Sequence, residues 1–500
     1  MRYSEKNIDM LTGSLYRSIL FFTIPIALSS MLQQLFNAAD TAIVGLFDTS
    51  SSLAAVGTNG EIIALIVALS SGLSVGVNVL VAQQIGQHKE QNIIPIIRTA
   101  MSLAVMIGVA GLIIGQCISA PLLVLIKTPS DILASSVLYL RIYFVSYPFL
   151  LLYDFGSAIL RACGNSRYPF LALTLSGIVN VFLNIIFVVF FKLGVSGVAA
   201  ATVLSTMLSA LLLICRLKKD TSSFPFALHK CDLYSGSVSA ILKVGIPSAI
   251  QGAVFCFANI FVQASVNSFG SSAIAGSTIA MNFEYFTYYV ITAFGQTATT
   301  FTSQNYSAGQ LRRCRKILRI CLVFSIVSSL ILIEPLVIFR NFFAGFFSAD
   351  QTVIQNACLR ILCILFFEPL CNLYEIPAGV LKGTGHSLYP AVATIIGNCC
   401  FRIVWICTVF RHYHQLNILY YAFPISWVLT IILITIGFIA KSQVRRFDLS
   451  GFEVSYSSVR KEDIRNPLRD LCSGCYLIST ISLLYNVFCK APHSSHLIPT

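Results

Sequence analysis

The chain has 500 residues, of which 56% are hydrophobic and only 11% are charged. A soluble domain carries about 25% charged residues, so this composition excludes a protein that faces water over most of its surface. The net charge of +13 does not indicate a nucleic-acid partner, because the basic residues lie in short segments between apolar runs. We therefore expect the lipid bilayer to be the main surroundings of this chain, and no nucleic acid to bind.

Twelve apolar runs are long enough to cross about 30 Å of hydrocarbon as helices. In chain order, helices are predicted at 16–40, 54–82, 98–126, 132–160, 168–191, 194–215, 241–267, 273–303, 317–340, 352–380, 388–411 and 418–440. Two GxxxG pairs, Gly72 with Gly76 and Gly111 with Gly115, are typical of helices that pack closely.

The distribution of Lys and Arg predicts the orientation of these helices. If the N-terminus is cytoplasmic, the inner segments hold 21 Lys and Arg, whereas the outer loops hold four. Because inner loops carry the excess of positive charge, we expect a multi-pass protein of the cell (plasma) membrane with both termini cytoplasmic.

An internal repeat relates the two halves of the chain. The segment 154–169 (DFGSAILRACGNSRYP) matches 375–390 (EIPAGVLKGTGHSLYP) without a gap, at an offset of 221. Six predicted helices separate the copies, so both halves have the same orientation. The predicted fold is an all-α integral membrane protein of twelve transmembrane helices in two six-helix lobes related by a pseudo-two-fold axis along the membrane normal. We expect an N-lobe at 1–215, a cytoplasmic linker at 216–240, a C-lobe at 241–440 and a cytoplasmic tail of unknown role at 441–500.

Several segments, in this order along the chain, resemble multidrug and toxic compound extrusion (MATE) transporters of the bacterial DinF/NorM-like branch. They include IPIALSSMLQQLFNAADTAIVG (24–45), GLSVGVNVLVAQQIG (72–86), GVSGVAAATVLS (194–205) and AFGQTATTFTSQNYSAGQ (293–310). The resemblance implies twelve helices in two lobes around a central cavity. It also implies export of organic, often cationic, compounds in exchange for protons or sodium ions.

A polar stripe on predicted helix 1 ends in an acid. Gln33, Asn37 and Asp40 share one face by helical spacing, and Asn180 and Asn184 lie one turn apart on predicted helix 5. If the two faces meet, one carboxylate and several amides form a pocket that can hold a proton or a sodium ion. The alternative is a structural Asp40 that is hydrogen-bonded at the helix end.

The resemblance adds roles for these positions. Asp40 and Pro25 stand where the proton-coupled branch has its first-helix Asp and a Pro associated with bending, so Pro25 is expected to be conformational. Asn180 matches a family Asn, whereas Asn184 stands where many members have Asp. Asp40 has no carboxylate counterpart in the repeat, since Val262 falls opposite. Coupling is therefore expected in the N-lobe only.

Two carboxylates, Asp154 and Glu375, occupy equivalent positions of the repeat. They are predicted either to form boundary ion pairs or caps at the inner gate, or to line the cavity and attract cations. The substrate cavity is predicted to hold eight side chains in all: Gln33, Asp154, Gln251, Asn259, Gln263, Glu284, Tyr288 and Glu375. An acid beside a Tyr suits an organic cation; the alternative is that these polar side chains only join helices.

One structural ion pair is predicted in the C-lobe. Glu368, Asn372 and Glu375 share a face by i, i+4 and i+7 spacing, and Arg402 lies in the middle of predicted helix 11. Because an unpaired Arg in the membrane is costly, we expect Arg402 to pair with Glu368 or Glu375.

These observations predict a secondary active multidrug exporter. It exchanges H⁺ or Na⁺ for amphipathic, cationic organic compounds by alternating access, and is expected to be a monomer with no cofactor, no metal site and no enzymatic activity. Three alternatives are a lipid-linked precursor flippase of a related fold, a membrane-embedded transferase and a passive channel. The flippase would need a strongly basic cavity, and the transferase a catalytic constellation in a loop.

Overall fold

The structure, a computed structural model, describes residues 7–126, 128–220 and 233–444. In these ranges the chain is helical and has no strand. Twelve long helices are numbered here in chain order: α1 (Leu15–Phe47), α2 (Gly60–Gly86), α3 (Ile93–Leu125), α4 (Ser130–Val145 and Tyr147–Ala162), α5 (Arg167–Phe190), α6 (Gly194–Asp220), α7 (Ser235–Asn267), α8 (Ser271–Ser307), α9 (Leu311–Ile338), α10 (Gln351–Gly383), α11 (Leu388–Tyr413) and α12 (Leu416–Val444). Each predicted helix corresponds to one of them; residues 221–232 of the predicted linker and 445–500 of the predicted tail lie outside the described residues.

The helices have the length and apolarity that a membrane demands. Ten of those described are long and apolar enough to cross a bilayer, and the two segments of α4, which meet at a 43° bend, form an eleventh span. Large apolar side chains such as Leu46 and Leu125 are 77% exposed, as expected where the solvent is lipid. The remaining helix, α8, has 37 residues and is long enough to cross but more polar.

The polarity of α8 is explained by its burial. From Ala293 to Asn305 every residue except Gln296 is buried, so its Thr, Ser and Gln side chains contact other helices instead of lipid. Polar side chains in such places form hydrogen bonds between helices. The composition that makes α8 the least apolar span therefore reflects its position between the two halves of the molecule.

The repeat is visible in where helices begin, end and break. Helix α4 ends at Ala162 and α5 begins at Arg167, while α10 ends at Gly383 and α11 begins at Leu388, each 221 positions later. Between them, Gly164 and Gly385 adopt positive φ angles of 86° and 87°, a conformation that favours glycine. We call α1–α6 the N-lobe and α7–α12 the C-lobe; the parallel repeat and the two-lobe, twelve-helix layout agree with the prediction.

The lobes meet along α2 and α7 through small residues. A Cβ atom on Gly76 would lie 2.1 Å from the carbonyl oxygen of Ile241, and one on Gly72 would lie 2.3 Å from the Cα atom of Ala249. Gly245 faces Leu73 in the same way. The backbones can approach this closely only because these positions lack side chains, the packing that the Gly72 and Gly76 pair predicts.

One end of the bundle is closed by polar contacts between the lobes. We call it the basic end, because Lys and Arg residues lie in or directly beside the short loops between α2 and α3, α4 and α5, and α8 and α9. There Thr300 donates to the Asn78 side chain (3.0 Å), Ser303 to the Val79 carbonyl oxygen (2.9 Å) and Gln304 to the Ala162 carbonyl oxygen (2.6 Å). All three donors belong to α8 of the C-lobe, and all three acceptors belong to the N-lobe.

The segment before α1 also bridges the lobes at this end. Its Ile8 amide donates to the Gly164 carbonyl oxygen of the N-lobe (3.0 Å), while the Met10 carbonyl oxygen accepts from the Asn305 side chain of the C-lobe (3.0 Å). Arg313, at the start of α9, donates to carbonyl oxygens of residues 10, 12 and 13. Partial burial raises the pKa of Asp9, but hydrogen bonds from Thr12 and Leu11 outweigh it and hold that pKa below its ordinary value.

The glycine contact between the lobes gives a stability prediction. In Gly76→Ala the new methyl group would overlap the Ile241 carbonyl group, and overpacking of this kind costs about 1–3 kcal/mol. We expect a lower midpoint of thermal unfolding for the purified protein. Gly236→Ala, in the first turn of α7 with nothing within 4 Å of its Cβ position, is the matched control and should leave the midpoint unchanged. Equal midpoints for the two variants would contradict this account of the interface.

Candidate functional site

The N-lobe contains a cavity lined by α1, α2, α4, α5 and α6, with Gln296 reaching in from α8. Asp40 lines it and is only 9% exposed. The Asn184 amide nitrogen donates to an Asp40 carboxylate oxygen (2.5 Å) and lies 3.2 Å from the Asn180 side-chain oxygen. The polar faces of α1 and α5 thus meet as the sequence predicts.

Two features make this cluster suited to a cation. Asp40 forms no ion pair with any residue in the described ranges, so its charge is not neutralised by the protein there. The side-chain oxygen of Asn184 is buried without a hydrogen-bond donor. A carboxylate and an unpaired amide oxygen are hard ligands of the kind that bind alkali or alkaline-earth cations, and the carboxylate alone can take up a proton. Gln33 and Asn37 line the same cavity.

Asp154 lines the N-lobe cavity too, closer to the basic end. It accepts a hydrogen bond from Ser70 (2.6 Å), while Arg161, about two turns further on, donates to Gln296 across the lobe interface (3.0 Å). The predicted boundary ion pair is therefore wrong for Asp154, because Arg161 is engaged by the other lobe. The second hypothesis, that Asp154 faces the cavity, agrees with the structure.

A second cavity lies in the C-lobe and shares no lining residue with the first. Its main charged contact is between Arg360 and Glu284, whose guanidinium and carboxylate groups form two hydrogen bonds of 2.7 and 2.8 Å. Arg360 also donates to Ser277 (2.7 Å) and is 4% exposed. Such a bidentate pair is geometrically specific. This pair was not among the predicted contacts, although an Arg within a span requires an acid nearby and Glu284 lies on predicted helix 8.

The predicted pairing of Arg402 is wrong. Arg402 forms no ion pair with Glu368 or Glu375; instead it lies over the Phe423 ring at 4.0 Å and donates to Ser426 (3.1 Å). Glu368 accepts a hydrogen bond from Thr287.

The physical reason lies in the helix type. α10 contains a 3₁₀ segment at Leu365–Leu370, and α11 contains π-helical turns at Ile395–Cys400 and Ile406–Phe410. These segments change the number of residues per turn, so α-helical spacing does not place Glu368, Glu375 and Arg402 on facing sides. Asn372, predicted to share their face, hydrogen-bonds to Ser325 and Ser329 of α9 instead.

The other predicted cavity residues divide between the two lobes. Asn259, Gln263, Glu284 and Tyr288 line the C-lobe cavity. Gln251 and Glu375 line neither cavity, and Glu375 packs beside Gly295 of α8. The prediction that they are cavity residues is therefore not supported. Pro25 is buried within an α1 that continues through it, and its carbonyl oxygen accepts from Ser29 (2.7 Å).

A family model described as MatE matches the chain twice, at residues 25–186 and 247–407, once in each lobe. The chain belongs to the MatE family. Members of this family are multidrug and toxic compound extrusion transporters, so the chain is a multi-pass membrane transporter rather than an enzyme, and the transferase hypothesis is wrong.

Individual proteins agree with this assignment. The chain is 25% identical over 430 residues to the probable multidrug resistance protein YoeA of Bacillus subtilis, covering 84% of this chain and 93% of that protein. It is 25% identical over 390 residues to a FAD transporter of Shewanella oneidensis, covering 74% and 85%. Its fold matches an outward-facing MATE family transporter with a TM-score of 0.81 at 21% identity, over 89% of this chain and 99% of that one.

The ion pair of this MATE protein gives a second prediction. Removing one partner of a buried pair costs about 3–5 kcal/mol, because the other charge is left uncompensated. We expect Arg360→Met to destabilise the protein by that amount in denaturant unfolding, and the double variant Arg360→Met with Glu284→Gln to recover part of the loss. A double variant whose loss of stability equals the sum of the losses in Arg360→Met and Glu284→Gln would show that the two side chains are not coupled.

Proposed function

We propose that this MATE transporter exports amphipathic, cationic organic compounds in exchange for H⁺ or Na⁺, and that Asp40 binds the coupling ion. The observation that carries the proposal is a buried acid that lines the N-lobe cavity, is held by Asn184 and lacks an ion-pair partner among the described residues. An acid in the membrane with no basic partner is costly when charged. Binding of an ion neutralises the charge and removes that cost, so the ion-bound pocket and the ion-free pocket differ in free energy.

The closed basic end supports an assignment of state and orientation. By the positive-inside rule this end is cytoplasmic. The lobes are joined there by α8 and by the segment before α1, so we assign the structure to the state that is closed to the cytoplasm. The likeness to an outward-facing transporter agrees with this assignment. Alternating access then requires these contacts to break while contacts form at the other end.

The lining of the N-lobe cavity suits a cation with an apolar body. Asp40 and Asp154 are its acids, Tyr139 and Tyr143 contribute aromatic surface, and Gln33 contributes an amide. A positive charge can be attracted by the carboxylates, and by aromatic rings at close range. Since the coupling ion and a cationic substrate would use the same acid, binding of one favours release of the other. Pro25, inside α1, is the position at which we expect the helix to bend during this exchange.

Replacement of the acid tests the coupling. Asp40→Asn keeps the shape of the side chain and one accepting oxygen but removes its charge. We expect efflux of a fluorescent organic cation from proteoliposomes to lose its dependence on an imposed ion gradient, applied as H⁺ or as Na⁺ in separate experiments. The control is Asp131→Asn, at an exposed acid in the first turn of α4, which should transport like the wild type. Wild-type, gradient-driven efflux by Asp40→Asn would remove Asp40 from the mechanism.

The orientation is testable separately. A green fluorescent protein that folds only in the cytoplasm can be fused to either end of the full chain. With twelve spans and a cytoplasmic basic end, we expect both fusions to fluoresce. A chain with only one fluorescent fusion would have an odd number of spans and would contradict the parallel repeat.

A further inference from the structure

The C-lobe cavity has a cation that forms no ion pair with any residue that the structure describes. Its lining includes four charged side chains, Glu284, Arg360, Glu368 and Arg402. The first two pair with one another through two hydrogen bonds, and Glu368 accepts a hydrogen bond from Thr287. Arg402 is left without a carboxylate partner in the described ranges.

The residues around Arg402 hold its side chain in place, but those that the structure describes do not pair with all of its hydrogen-bond donors. The side chain is 1% exposed, and its Nε atom donates to Ser426 (3.1 Å). Its guanidinium lies 4.0 Å from the centre of the Phe423 ring, which orients the plane of the group. One terminal nitrogen, Nη1, is buried and has no hydrogen-bond partner. Because a guanidinium cannot lose its proton in a protein, this donor stays charged and is available to an acceptor that the described residues do not supply.

The other residues that line the C-lobe cavity indicate the chemistry of the rest of such a ligand. Aromatic side chains make up much of the wall: Phe255, Tyr285, Tyr288, Tyr289, Tyr374 and Trp427. Phe255 and Tyr288 are stacked, with 7° between their ring planes. A ligand that fits both features has a flat apolar body and one acidic group.

We propose that the C-lobe cavity binds aromatic organic anions and that Arg402 is the residue that recognises their acidic group. A carboxylate or phosphate group would accept from Nη1, while the aromatic body contacts the rings around it. The transporter would then hold two chemically different sites, one acidic in the N-lobe and one with an unpaired cation in the C-lobe. Only the transport of such anions rests on the proposed export function, since binding can be measured without transport.

The two tryptophans of the chain provide a direct readout. They are Trp405 and Trp427, and only Trp427 is among the residues that line the C-lobe cavity. In a Trp405→Phe background, energy transfer from Trp427 to a dansyl group reports on binding at this cavity in the purified full chain. The probes are dansylglycine, which carries a carboxylate, and dansylamide, which has the same aromatic body and no charge.

We expect Arg402→Gln to raise the Kd of dansylglycine about tenfold or more, the equivalent of about 1.4 kcal/mol, and to leave the Kd of dansylamide nearly unchanged. Retained dansylamide binding shows that the variant is folded. Arg402→Lys should be intermediate, because an ammonium keeps the charge but not the planar stacking on Phe423. Arg411→Gln is the matched control, since it removes an exposed Arg from the same helix and should change neither Kd.

A further variant tests the role of the neighbouring acid. Glu368 is 3% exposed and lines the same cavity, so its charge opposes an anion. Glu368→Gln should leave the Kd of dansylglycine equal or lower. If it instead weakens dansylglycine as much as Arg402→Gln does, the two side chains act as an internal pair and the proposal is wrong.

Two other outcomes would also overturn the proposal. Equal losses of dansylglycine and dansylamide binding in Arg402→Gln would mean that Arg402 only supports the cavity wall. Displacement of dansylglycine by inorganic phosphate at similar concentrations would indicate a site for a small inorganic anion. The efflux assay of Asp40→Asn tests the proposed function, and dansylglycine binding tests the C-lobe site. Either result can fail while the other holds, so the two proposals fail independently.

Discussion

The close contact of α2 with α7 is the constraint on which the rest of the structure depends. Carbonyl and Cα atoms of one helix occupy the space that a side chain would need at Gly72 and Gly76 of the other, so the two helices can be this near only because these positions are glycines. With the lobes held together, the Thr and Ser side chains of α8 reach backbone and amide groups of the N-lobe at the basic end. Because lipid offers no competing hydrogen bonds, these contacts keep one end closed.

Much of the fold could be predicted from the sequence, because it depends on features of short segments. A span in lipid must be apolar and about twenty residues long, and the repeat of Gly164 and Gly385 marks the same turn in both lobes. The pocket of Asp40 and Asn184 was also predictable, since both lie on regular helical faces. The surroundings of Arg402 were not predictable, because Glu368 lies in a 3₁₀ segment and a π segment directly precedes Arg402, so the periodicity of 3.6 residues fails there.

The two lobes share a helix arrangement, but the charged side chains that line their cavities differ. At the offset of 221, the C-lobe charges Glu284, Arg360 and Arg402 correspond to Ile63, Tyr139 and Val181 of the N-lobe, and Asn184 corresponds to Trp405. The bounds of α4 and the start of α5 recur at the same offset in α10 and α11. Backbone geometry is therefore set by glycines, prolines and apolar length, which both halves retain, whereas the chemistry of each cavity depends on a few substitutions that do not disturb it.

This separation has a consequence for how the two cavities communicate. Gln296 of α8 lines the N-lobe cavity and accepts from Arg161 of that lobe, while Glu284, three turns earlier on the same helix, pairs with Arg360 in the C-lobe cavity. A single rigid element thus contacts both sites. Any movement of α8 that breaks the hydrogen bonds of the basic end must shift Gln296 and Glu284 together, because a continuous helix transmits displacement along its axis. Occupancy of either cavity can therefore bias the same movement, and α8 is the element through which an ion in the N-lobe and an organic ligand in the C-lobe would affect one another.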